Sequence, residues 1–574
     1  MKKKYIIWIC ISFIVLLAGA FAYESFEFIA RPIGQAWMRD LKVLAENIED
    51  GASRKEIDMN TVQAYEAELL DLRYRFENID RFYLRYIPFT PFKGTYRLLN
   101  SLIGSATIGK QTFVTLQNCQ KNTGYECLSF EDIDRFRLNL DASLREFQKV
   151  PIFSFPVAYR EKLQKISPLV DEARLWTQRY QEHRTDFQDV FGVNGPRTYL
   201  IALQNSAEAR PMGGFIGSMI KVSFAYGKVS SVEFLDVHYF DYLSGEYIDA
   251  PDFLPYIDRM SVQEANMYPT AEASGAYMKE VFEKMGGPNI DGIVFVSLEI
   301  LDELFQLVPA VQISDSDRLL TSENYFELLQ WELEKYNLDE YEDVKEPKKV
   351  LFEFIQVMGE GLKNCECWDE MFPIAQNILD KKLLQFYFVN SEMEWLFDEI
   401  GLNENFGPEN EDQDFFAFYF SNYFNKANRF IVKKMNHTIR KEESLWHHEL
   451  SISLDYSIPV GYEDSLKKLI SGFTDLLPQS QRYIRDVFGM TGVKSYLEFF
   501  FPKDARNIRF ENIKEEDWVK RDFDGYPGLG LKLEFGDFGN TTQEVRILYN
   551  TGVKNEIFGT KVLTQPDVEI QIQN

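Results

Sequence analysis

Residues 203–218 read LQNSAEARPMGGFIGS, and this stretch decides how the middle of the chain folds. The residues before it, 197–203, predict a β-strand, and the runs at 215–224 and 229–237 predict two more. Glycine permits sharp backbone turns, so the pair Gly213-Gly214 indicates a turn within this series of strands. The stretch therefore marks the start of a β-sheet.

The same stretch concentrates polar groups that suit a binding site. Asn205, Glu208 and Arg210 lie close to Gly213 and Gly214, whose backbone amides could orient a ligand. An arginine guanidinium can bind phosphate or carboxylate through two parallel hydrogen bonds, which makes Arg210 the candidate anion ligand. The structural alternative is a buried Glu208–Arg210 ion pair that braces the turn. Both interpretations stay open from the residues alone.

A central α/β domain is predicted over residues 194–460. A helix at 270–285, a continuous apolar strand at 291–296 and a helix at 298–307 follow the first three strands. Such alternation of strands and helices indicates a sheet covered by helices. Further helices are predicted at 322–336, 347–363 and 370–382, and further strands at 311–313, 384–389 and 415–420. The last two of these strands are expected to return to the same sheet.

The C-terminal part is predicted to be rich in β-structure. RFIVKKM and HHELSISLDY are expected to pair as a hairpin across RKEES, from about residue 428 onward. The segments YLEFFFP, GLKLEFGDF and TQEVRILYNTG alternate apolar and polar residues, as sandwich strands do. We therefore expect a helical linker at 461–489 and a C-terminal β-sandwich at 490–574.

The N-terminus predicts a membrane anchor. Three lysines stand in residues 1–4, and residues 5–23 carry no charge. About 20 apolar residues span a bilayer as a helix, and preceding lysines keep the N-terminus cytoplasmic. The rest of the chain is then expected outside the cytoplasm. Ala20-Phe21-Ala22 leaves a cleaved signal peptide as the alternative, and either interpretation exports the chain.

A helical stalk is predicted between the anchor and the central domain, over residues 24–193. Apolar residues recur at alternating spacings of three and four from Val62 to Tyr86, and again from Leu163 to Tyr180. Stripes of this kind indicate helices that pack side by side. We therefore expect a helical bundle or a coiled-coil stalk.

The charge balance argues against one class of partner. The chain has 62 basic and 89 acidic residues, which gives a net charge of −27. Nucleic-acid phosphates would repel such a surface, so no nucleic-acid binding is expected. With 574 residues, the chain is too long for one core, and two to four domains are expected.

The cysteines allow few disulfide bonds. In an oxidising compartment Cys119 and Cys127 could close a small disulfide loop, or they could remain reduced. Cys365 and Cys367 are separated by a single residue, which is too close for a relaxed disulfide. We therefore expect free thiols at these two positions.

No motif of a familiar catalytic class is present. The chain lacks the HExxH, GxSxG and CxxC patterns. Its five histidines show no triad and no metal-ligand spacing, and the adjacent His447 and His448 would point to opposite faces of a strand. The sequence therefore predicts no histidine site.

The stretch NSAEARPMGGFIGS closely resembles the hallmark of the DUF4012 family of bacterial, membrane-anchored proteins. IDGIVFVSLEILDELFQLV resembles the Asp-Gly-Val strand and following helix of that family, and FSNYFNKANRFI resembles its later asparagine-rich segment. The resemblance covers roughly residues 196–550. It implies that the anchor is retained, and it brings no established activity.

The order of predicted elements also resembles the LytR-CpsA-Psr fold. Enzymes of that family hold a polyprenyl pyrophosphate and transfer glycopolymers to the cell wall. In this resemblance Arg210 matches an arginine ahead of the first hairpin strand. The family's Ile-Pro-Arg-Asp run is replaced here by Phe234-Leu235-Asp236-Val237, so the acidic residue is kept at Asp236 and the second arginine is missing. This departure implies a degenerate binding fold as much as an enzyme.

Three acidic residues follow the predicted hairpin, namely Asp236, Asp241 and Asp249. Carboxylates could hold Mg²⁺ or Ca²⁺ opposite a pyrophosphate, with Asp236 and Asp241 as metal ligands. Asp236 is also the candidate catalytic base. The alternative is that all three are solvated loop residues.

These observations lead to two functional expectations for an α+β multidomain protein anchored in the cell membrane, with its bulk extracytoplasmic. In the first, the chain binds or handles a phosphorylated envelope ligand, such as a polyprenyl-phosphate or lipid-linked polysaccharide. A phosphotransferase activity would be the enzymatic form of this function. In the second, the chain is a non-enzymatic scaffold of the cell envelope with a degenerate binding fold.

Overall fold

The computed structural model describes the chain mainly from residue 130 onward. The described residues are 67, 70, 71, 74, 130–148, 171, 174, 175, 177–244, 248–254, 256–313, 319–338, 348–365, 368–403, 405–408, 413–442, 445–470, 472–511, 513–514, 517–536, 541–552, 560–565 and 567–573. The predicted anchor at 5–23, the stripe residues from Val62 to Tyr86 and the pair Cys119 and Cys127 lie outside them. Among the described residues, no helix has both the length and the apolar character needed to cross a membrane.

Two compact units make up the chain. The first contains residues 1–197, 224–230 and 368–373, and the second contains residues 198–223, 231–367 and 374–574. The first unit includes helices α1 (Phe130–Gln148) and α2 (Arg184–Val190). Its contacts include Arg184, which donates from Nη2 to the Asp134 carboxylate at 2.9 Å, and Tyr180, whose ring stacks on Phe187. The described part of the predicted stalk is thus helical.

The middle of the chain alternates strands and helices, as the sequence predicts. Its elements are β1 (Arg197–Arg210), β2 (Gly213–Ala225), β3 (Lys228–Asp236), α3 (Val237–Ser244), β4 (Ile248–Asp249), β5 (Arg259–Met260), α4 (Ala271–Lys284), β6 (Gly292–Ser297), α5 (Ile300–Leu304), β7 (Val311–Gln312), β8 (Leu319–Leu320), α6 (Tyr325–Glu334), α7 (Lys349–Asn364), α8 (Trp368–Asp380), β9 (Leu384–Phe388) and α9 (Ser391–Glu399). The pairs β4–β5 and β7–β8 form separate two-stranded sheets.

A five-stranded sheet organises this region, with the strand order β3-β2-β1-β6-β9. β1 and β6 run parallel, and β6 and β9 run antiparallel. Two-residue turns join β1, β2 and β3, a connection that only antiparallel neighbours permit. The strand predicted at 384–389 therefore does return to this sheet, as β9.

Helix α4 packs closely on the sheet. Thr270 caps its N-terminus by accepting the Ala273 N–H at 3.2 Å. Gly275 lies in the middle of the helix, where an added Cβ would come within 2.3 Å of the Tyr387 ring on β9. The absent side chain lets helix and sheet approach, and Met278 and Phe282 fill the core beneath.

β1 is longer than its apolar sequence indicates. The prediction ended the strand at residue 203, whereas β1 continues to Arg210 and includes most of the hallmark segment. Ala207 and Ala209 are buried along this extension, and the Ala209 N–H donates to the side chain of Asn422. A partner distant in sequence thus stabilises the extended backbone, which local patterning cannot indicate.

The C-terminal part of the chain is a β-sandwich with two helices. Its elements are β10 (Asp414–Tyr423), β11 (Ile431–Glu442), β12 (Leu445–Tyr456), α10 (Tyr462–Leu469), α11 (Pro478–Val487), β13 (Val493–Phe500), β14 (Arg506–Glu511), β15 (Trp518–Phe523), β16 (Tyr526–Phe535), β17 (Thr541–Gly552), β18 (Thr560–Thr564) and β19 (Val568–Gln573). One sheet has the order β15-β16-β13-β10-β18 and the other has the order β14-β17-β12-β11-β19. The predicted hairpin of RFIVKKM with HHELSISLDY is present as β11 and β12.

The core of the sandwich lies between its two sheets. In β11 the burial alternates, so that Met435 and His437 point inward while Lys434 and Asn436 are exposed. β10 is buried along its whole length because both of its faces are covered. Phe418 packs in the core between the sheets, and its neighbours along the strand pack in a second cluster on the other face.

The sandwich begins at Asp414, not at residue 490 as expected. The strand predicted at 415–420 is part of β10, which pairs with β13 and β18 and does not return to the central sheet. A strand that is buried on both faces has a continuous apolar sequence. This holds both in a sheet covered by helices and in a covered sheet of a sandwich. Its sequence therefore identifies a strand without indicating which sheet it joins.

Cys365 also departs from expectation. It is disulfide-bonded, whereas its spacing to Cys367 led us to expect a free thiol. Its partner lies outside the described residues, as do the four other cysteines of the chain.

Candidate functional site

Arg210, at the end of β1, is completely buried. Its Nε and Nη2 donate to the Glu264 carboxylate at 2.7 and 2.9 Å, and Nη2 also donates to Glu208 at 3.1 Å. Its Nη1 donates to the backbone oxygens of Ala209 and Asn422, at 2.8 and 2.5 Å. A guanidinium has five N–H donors, and these contacts use all of them. The geometry matches the bracing ion pair offered as the structural alternative, enlarged by Glu264.

Glu208 is the second charged residue of the hallmark, and it is also buried. Its carboxylate accepts from Arg210, from Lys426 Nζ at 3.1 Å and from the Phe424 N–H at 3.1 Å. Burial by itself would raise the pKa of Glu208, but Lys426 and Arg210 together hold it below its ordinary value. Burial likewise opposes the charge of Arg210, and Glu264 and Glu208 raise its pKa. Both side chains are therefore charged inside the protein.

Side-chain amides complete a junction between β1 and the sandwich. Asn422 of β10 accepts the Ala209 N–H at 2.7 Å, and its Nδ2 donates to the Asn425 oxygen at 2.8 Å. Gln565 donates to the Arg210 backbone oxygen at 3.0 Å and accepts the Phe420 N–H at 2.9 Å. We call this set, with Glu208, Arg210, Glu264 and Lys426, the junction cluster. It holds the end of the central sheet against the sandwich.

Asn205 and the paired glycines serve the backbone around the junction cluster. Asn205 donates to Gln330 at 3.2 Å and accepts the Ala207 N–H at 3.2 Å. Gly213 has a φ of +133°, which side chains rarely tolerate, and a Cβ on Gly214 would lie 2.2 Å from the Asn205 backbone oxygen. These glycines allow β2 to approach β1 closely. The sequence alone does not distinguish this structural role from the orientation of a ligand.

The candidate metal ligands Asp236 and Asp241 make protein contacts at separate places. Asp236 pairs with Lys348 at 3.2 Å and accepts the His238 N–H at 3.0 Å. Asp241 is buried and accepts the Val262 N–H at 3.1 Å, and burial raises its pKa to about 6. Neither belongs to a group of three metal-capable side chains among the described residues. Asp249 lies exposed on β4.

A second polar cluster, in the sandwich interior, was not predicted. Asp414, His437 and His448 are buried there, and one ligand atom from each lies within 4.8 Å of the others. His448 faces inward and is buried, while His447 is only partly buried, as the alternation of a strand predicts. Burial lowers the pKa of His437 to about 4 and that of His448 to about 3, so both rings are neutral at pH 7.

One sequence signal could have identified this cluster. The inward positions of β11 run through Ile431, Lys433, Met435, His437 and Ile439, so a histidine occupies a core position. Continuing the alternation of RFIVKKM into the following residues places His437 inside, and the pairing with HHELSISLDY brings His448 beside it. Asp414 lies on the facing sheet, and no sequence pattern places it beside the two histidines.

Residues 194–333 match the family model described as "Protein of unknown function (DUF4012)". This match confirms the resemblance based on the hallmark segment. It includes four of the five strands of the central sheet, β1, β2, β3 and β6, and ends within α6. No curated protein and no solved structure matches the chain.

Proposed function

We propose that the chain is a non-enzymatic scaffold of the cell envelope. The observation that supports this proposal is the saturation of Arg210, whose donors are all taken up by protein acceptors. The most distinctive segment of the sequence thus serves to fix the central sheet on the sandwich. A central sheet and a two-sheet sandwich that are joined in this way suit the presentation of interaction surfaces.

An extracytoplasmic location is part of the proposal. Lysines at residues 2–4 ahead of the uncharged run at 5–23 support a single-pass anchor with the rest of the chain exported. The disulfide at Cys365 is consistent with an oxidising compartment. The family match at 194–333 agrees with the resemblance that suggested retention of the anchor.

A phosphotransferase of the LytR-CpsA-Psr type is the less supported function. Binding of a pyrophosphate by Arg210 would require the guanidinium to exchange the carboxylates of Glu208 and Glu264 for the ligand. Asp236, the candidate base, is paired with Lys348. The second arginine of that family is replaced in the run from Phe234 to Val237.

Binding of a phosphorylated envelope saccharide is the second candidate, and a surface groove favours it. The groove has a volume of about 1080 Å³ and lies where α10 and α11 meet β13 and β16. It is lined by Glu463, Gln479, Arg482, Tyr483, Arg485, Asp486, Thr491, Gly492, Val493, Lys494, Glu534 and Phe535. Arg485 pairs with Glu463 at 2.8 Å, whereas Arg482 is exposed. Cations and aromatic rings on one open surface suit a phosphorylated sugar.

A titration distinguishes these functions. The full-length chain in detergent is titrated with a water-soluble, short-chain polyprenyl-pyrophosphate saccharide analogue, and the heat of binding is recorded. The scaffold proposal predicts no saturable binding. Saturable binding by the unaltered chain would overturn the scaffold proposal in favour of a ligand-binding function.

Two double variants then locate any binding that is found. Arg482→Ala with Lys494→Ala removes two of the three groove cations and leaves Arg485, which pairs with Glu463. Arg506→Ala with Lys520→Ala removes the same charge from exposed sandwich positions away from the groove. Loss of binding in the first pair alone assigns the ligand to the groove. Equal loss in both pairs indicates only a general attraction between charges.

A further inference from the structure

We propose that Asp414, His437 and His448 bind a divalent transition-metal ion inside the β-sandwich. We call these three residues the Asp-His-His cluster. The proposal is independent of the scaffold function and uses residues outside the junction cluster. It is carried by the convergence of three buried ligand atoms next to the apolar core of the sandwich.

The strand register brings the two histidines together. In the β11–β12 hairpin His437 pairs with Leu450 and Ile439 pairs with His448, so the histidines are diagonal neighbours on the inward face. Asp414 is the first residue of β10, in the facing sheet. The exposures of His437, His448 and Asp414 are 0%, 2% and 2%. The site therefore draws on both sheets and is closed to bulk water.

The distances fit shared coordination. His437 Nε2 lies 3.1 Å from His448 Nδ1, and Asp414 Oδ2 lies 3.5 Å from the same nitrogen. A metal ion with nitrogen and oxygen ligands at about 2.0–2.1 Å holds adjacent ligand atoms about 3.0–3.5 Å apart. The cluster thus already has the spacing that an ion would require of these two contacts.

Hydrogen bonds use His448 Nδ1 for only one of its two polar neighbours at a time. If this nitrogen carries a hydrogen, the hydrogen can point fully at only one of its neighbours, His437 Nε2 or the Asp414 carboxylate. If it carries none, its lone pair faces a carboxylate oxygen in the protein interior, which is unfavourable. A cation placed between the three atoms would attract the lone pairs of both rings and the carboxylate at the same time.

Groups behind the cluster orient the rings. His448 Nε2 lies 2.9 Å from Thr551 Oγ, a suitable acceptor for the hydrogen of a metal-bound imidazole. The Tyr549 ring stacks on His448 at 4.3 Å between centroids, and its hydroxyl lies 3.4 Å from His437 Nε2. His437 Nδ1 has no hydrogen-bond partner among the described residues. Among these residues, a hydrogen bond at the ring nitrogen that points away from the cluster is therefore present only for His448.

The donor set selects the class of metal. Two imidazoles and one carboxylate suit Zn²⁺ and other divalent first-row transition metals, whereas Mg²⁺ and Ca²⁺ prefer oxygen ligands. Zn²⁺ usually binds four ligands, so these three side chains leave one position for a water molecule. An ion here would link the two sheets of the sandwich and stabilise them against separation.

The first test uses the unaltered full-length chain, purified without a histidine tag and freed of metal with a chelator. After incubation with Zn²⁺ and removal of the excess, we expect about one zinc per chain by elemental mass spectrometry. We also expect X-ray absorption at the zinc edge to show scattering from two imidazoles, and the Tm of the sandwich to rise on Zn²⁺ addition. Absence of bound zinc, or a bound zinc without imidazole scattering, overturns the proposal, and this result does not depend on any variant folding.

The second test assigns the residues. Asp414→Asn and His437→Gln each remove one ligand while keeping similar size and polarity. His447→Gln alters the partly buried histidine next to His448 and is the control. We expect zinc affinity to fall by more than about 100-fold in the first two variants and to stay unchanged in the third. Wild-type affinity in all three variants would overturn the assignment to the Asp-His-His cluster.

Discussion

At the scale of single residues, burial and partners decide what a charged side chain does. Arg210 has the chemistry of an anion ligand, yet it lies in the interior among Glu208, Glu264 and two backbone oxygens. A buried ion pair of this kind is strongly destabilising when broken, because the remaining charge stays buried without compensation. The hallmark segment thus supplies the buried ion pair that braces the junction cluster, although its residue types also suggest a ligand site.

Replacement of Arg210 tests this requirement. Arg210→Met should lower the free energy of unfolding by about 3–5 kcal/mol, because Glu264 and Glu208 lose their guanidinium partner. Arg440→Met, at an exposed position of β11, should change it by less than about 0.5 kcal/mol. Urea unfolding followed by tryptophan fluorescence measures both. Equal stability of the two variants would show that Arg210 does not brace the junction cluster.

Glu394 of α9 provides a prediction about pH. Burial raises its pKa from 4.5 to about 8, although the Phe388 N–H, which donates to its carboxylate at 2.6 Å, favours the charged form. Asp398 and Glu272 contribute further to the rise. Between these two pKa values the folded state binds a proton that the unfolded state has released. Stability should therefore fall as the pH rises from about 4.5 to 8.

Glu394→Gln isolates this contribution because its amide mimics the protonated carboxyl group. The variant should match the wild type near pH 5 and be more stable than it near pH 8.5. The difference should reach at most about 4–5 kcal/mol, since one pKa unit corresponds to about 1.4 kcal/mol. Urea unfolding at the two pH values gives the measurement. A difference that is the same at both pH values would contradict the assigned role of Glu394.

At the scale of secondary-structure elements, close approach of backbones explains the paired glycines. A Cβ on Gly214 would overlap the Asn205 backbone of β1. A Cβ on Gly217, three residues further along β2, would make ordinary contacts with the Lys348 ammonium at 3.6 Å and the Phe215 ring at 3.8 Å. The two positions share a strand and differ in the space above them. Only the first position requires glycine.

This contrast gives a matched pair of variants. Gly214→Ala should lower stability by about 1–3 kcal/mol or more, because backbone atoms cannot move aside as a flexible side chain can. Gly217→Ala should alter stability by less than about 1 kcal/mol. Thermal unfolding followed by circular dichroism separates them. Unchanged stability of Gly214→Ala would show that the Asn205 backbone can move aside and that the close approach of β1 and β2 does not require glycine.

Sequence patterns predicted the elements better than their partners. The hairpin of β11 and β12 and the strand β6 followed from alternation and from a continuous apolar run. The pairing of β10 with β13 could not be predicted, because a strand buried on both faces has no polar side to orient it. The Asp-His-His cluster likewise depends on how the two sheets of the sandwich pack against each other. A single sequence does not predict the contacts that tertiary packing determines.

At the scale of the whole molecule, the second unit contains both the central sheet and the sandwich. The junction cluster connects them through side chains that hydrogen-bond backbone groups of β1 and β10. Ala209 of β1 is itself part of the apolar core of the sandwich. Elements that share a core and a polar network should unfold together.

Gln565 is the residue through which this cooperativity can be tested. It hydrogen-bonds the backbone of Arg210 and Phe420, so Gln565→Ala removes a direct link between the central sheet and the sandwich. In the wild type, amides of β6 and β13 should become open to hydrogen exchange at the same urea concentration. In the variant the two strands should open at different concentrations, and Gln571→Ala on the exposed side of β19 should leave them coupled. Separate opening in the wild type would mean that the central sheet and the sandwich fold independently. The junction cluster would then fix their orientation without coupling their stability.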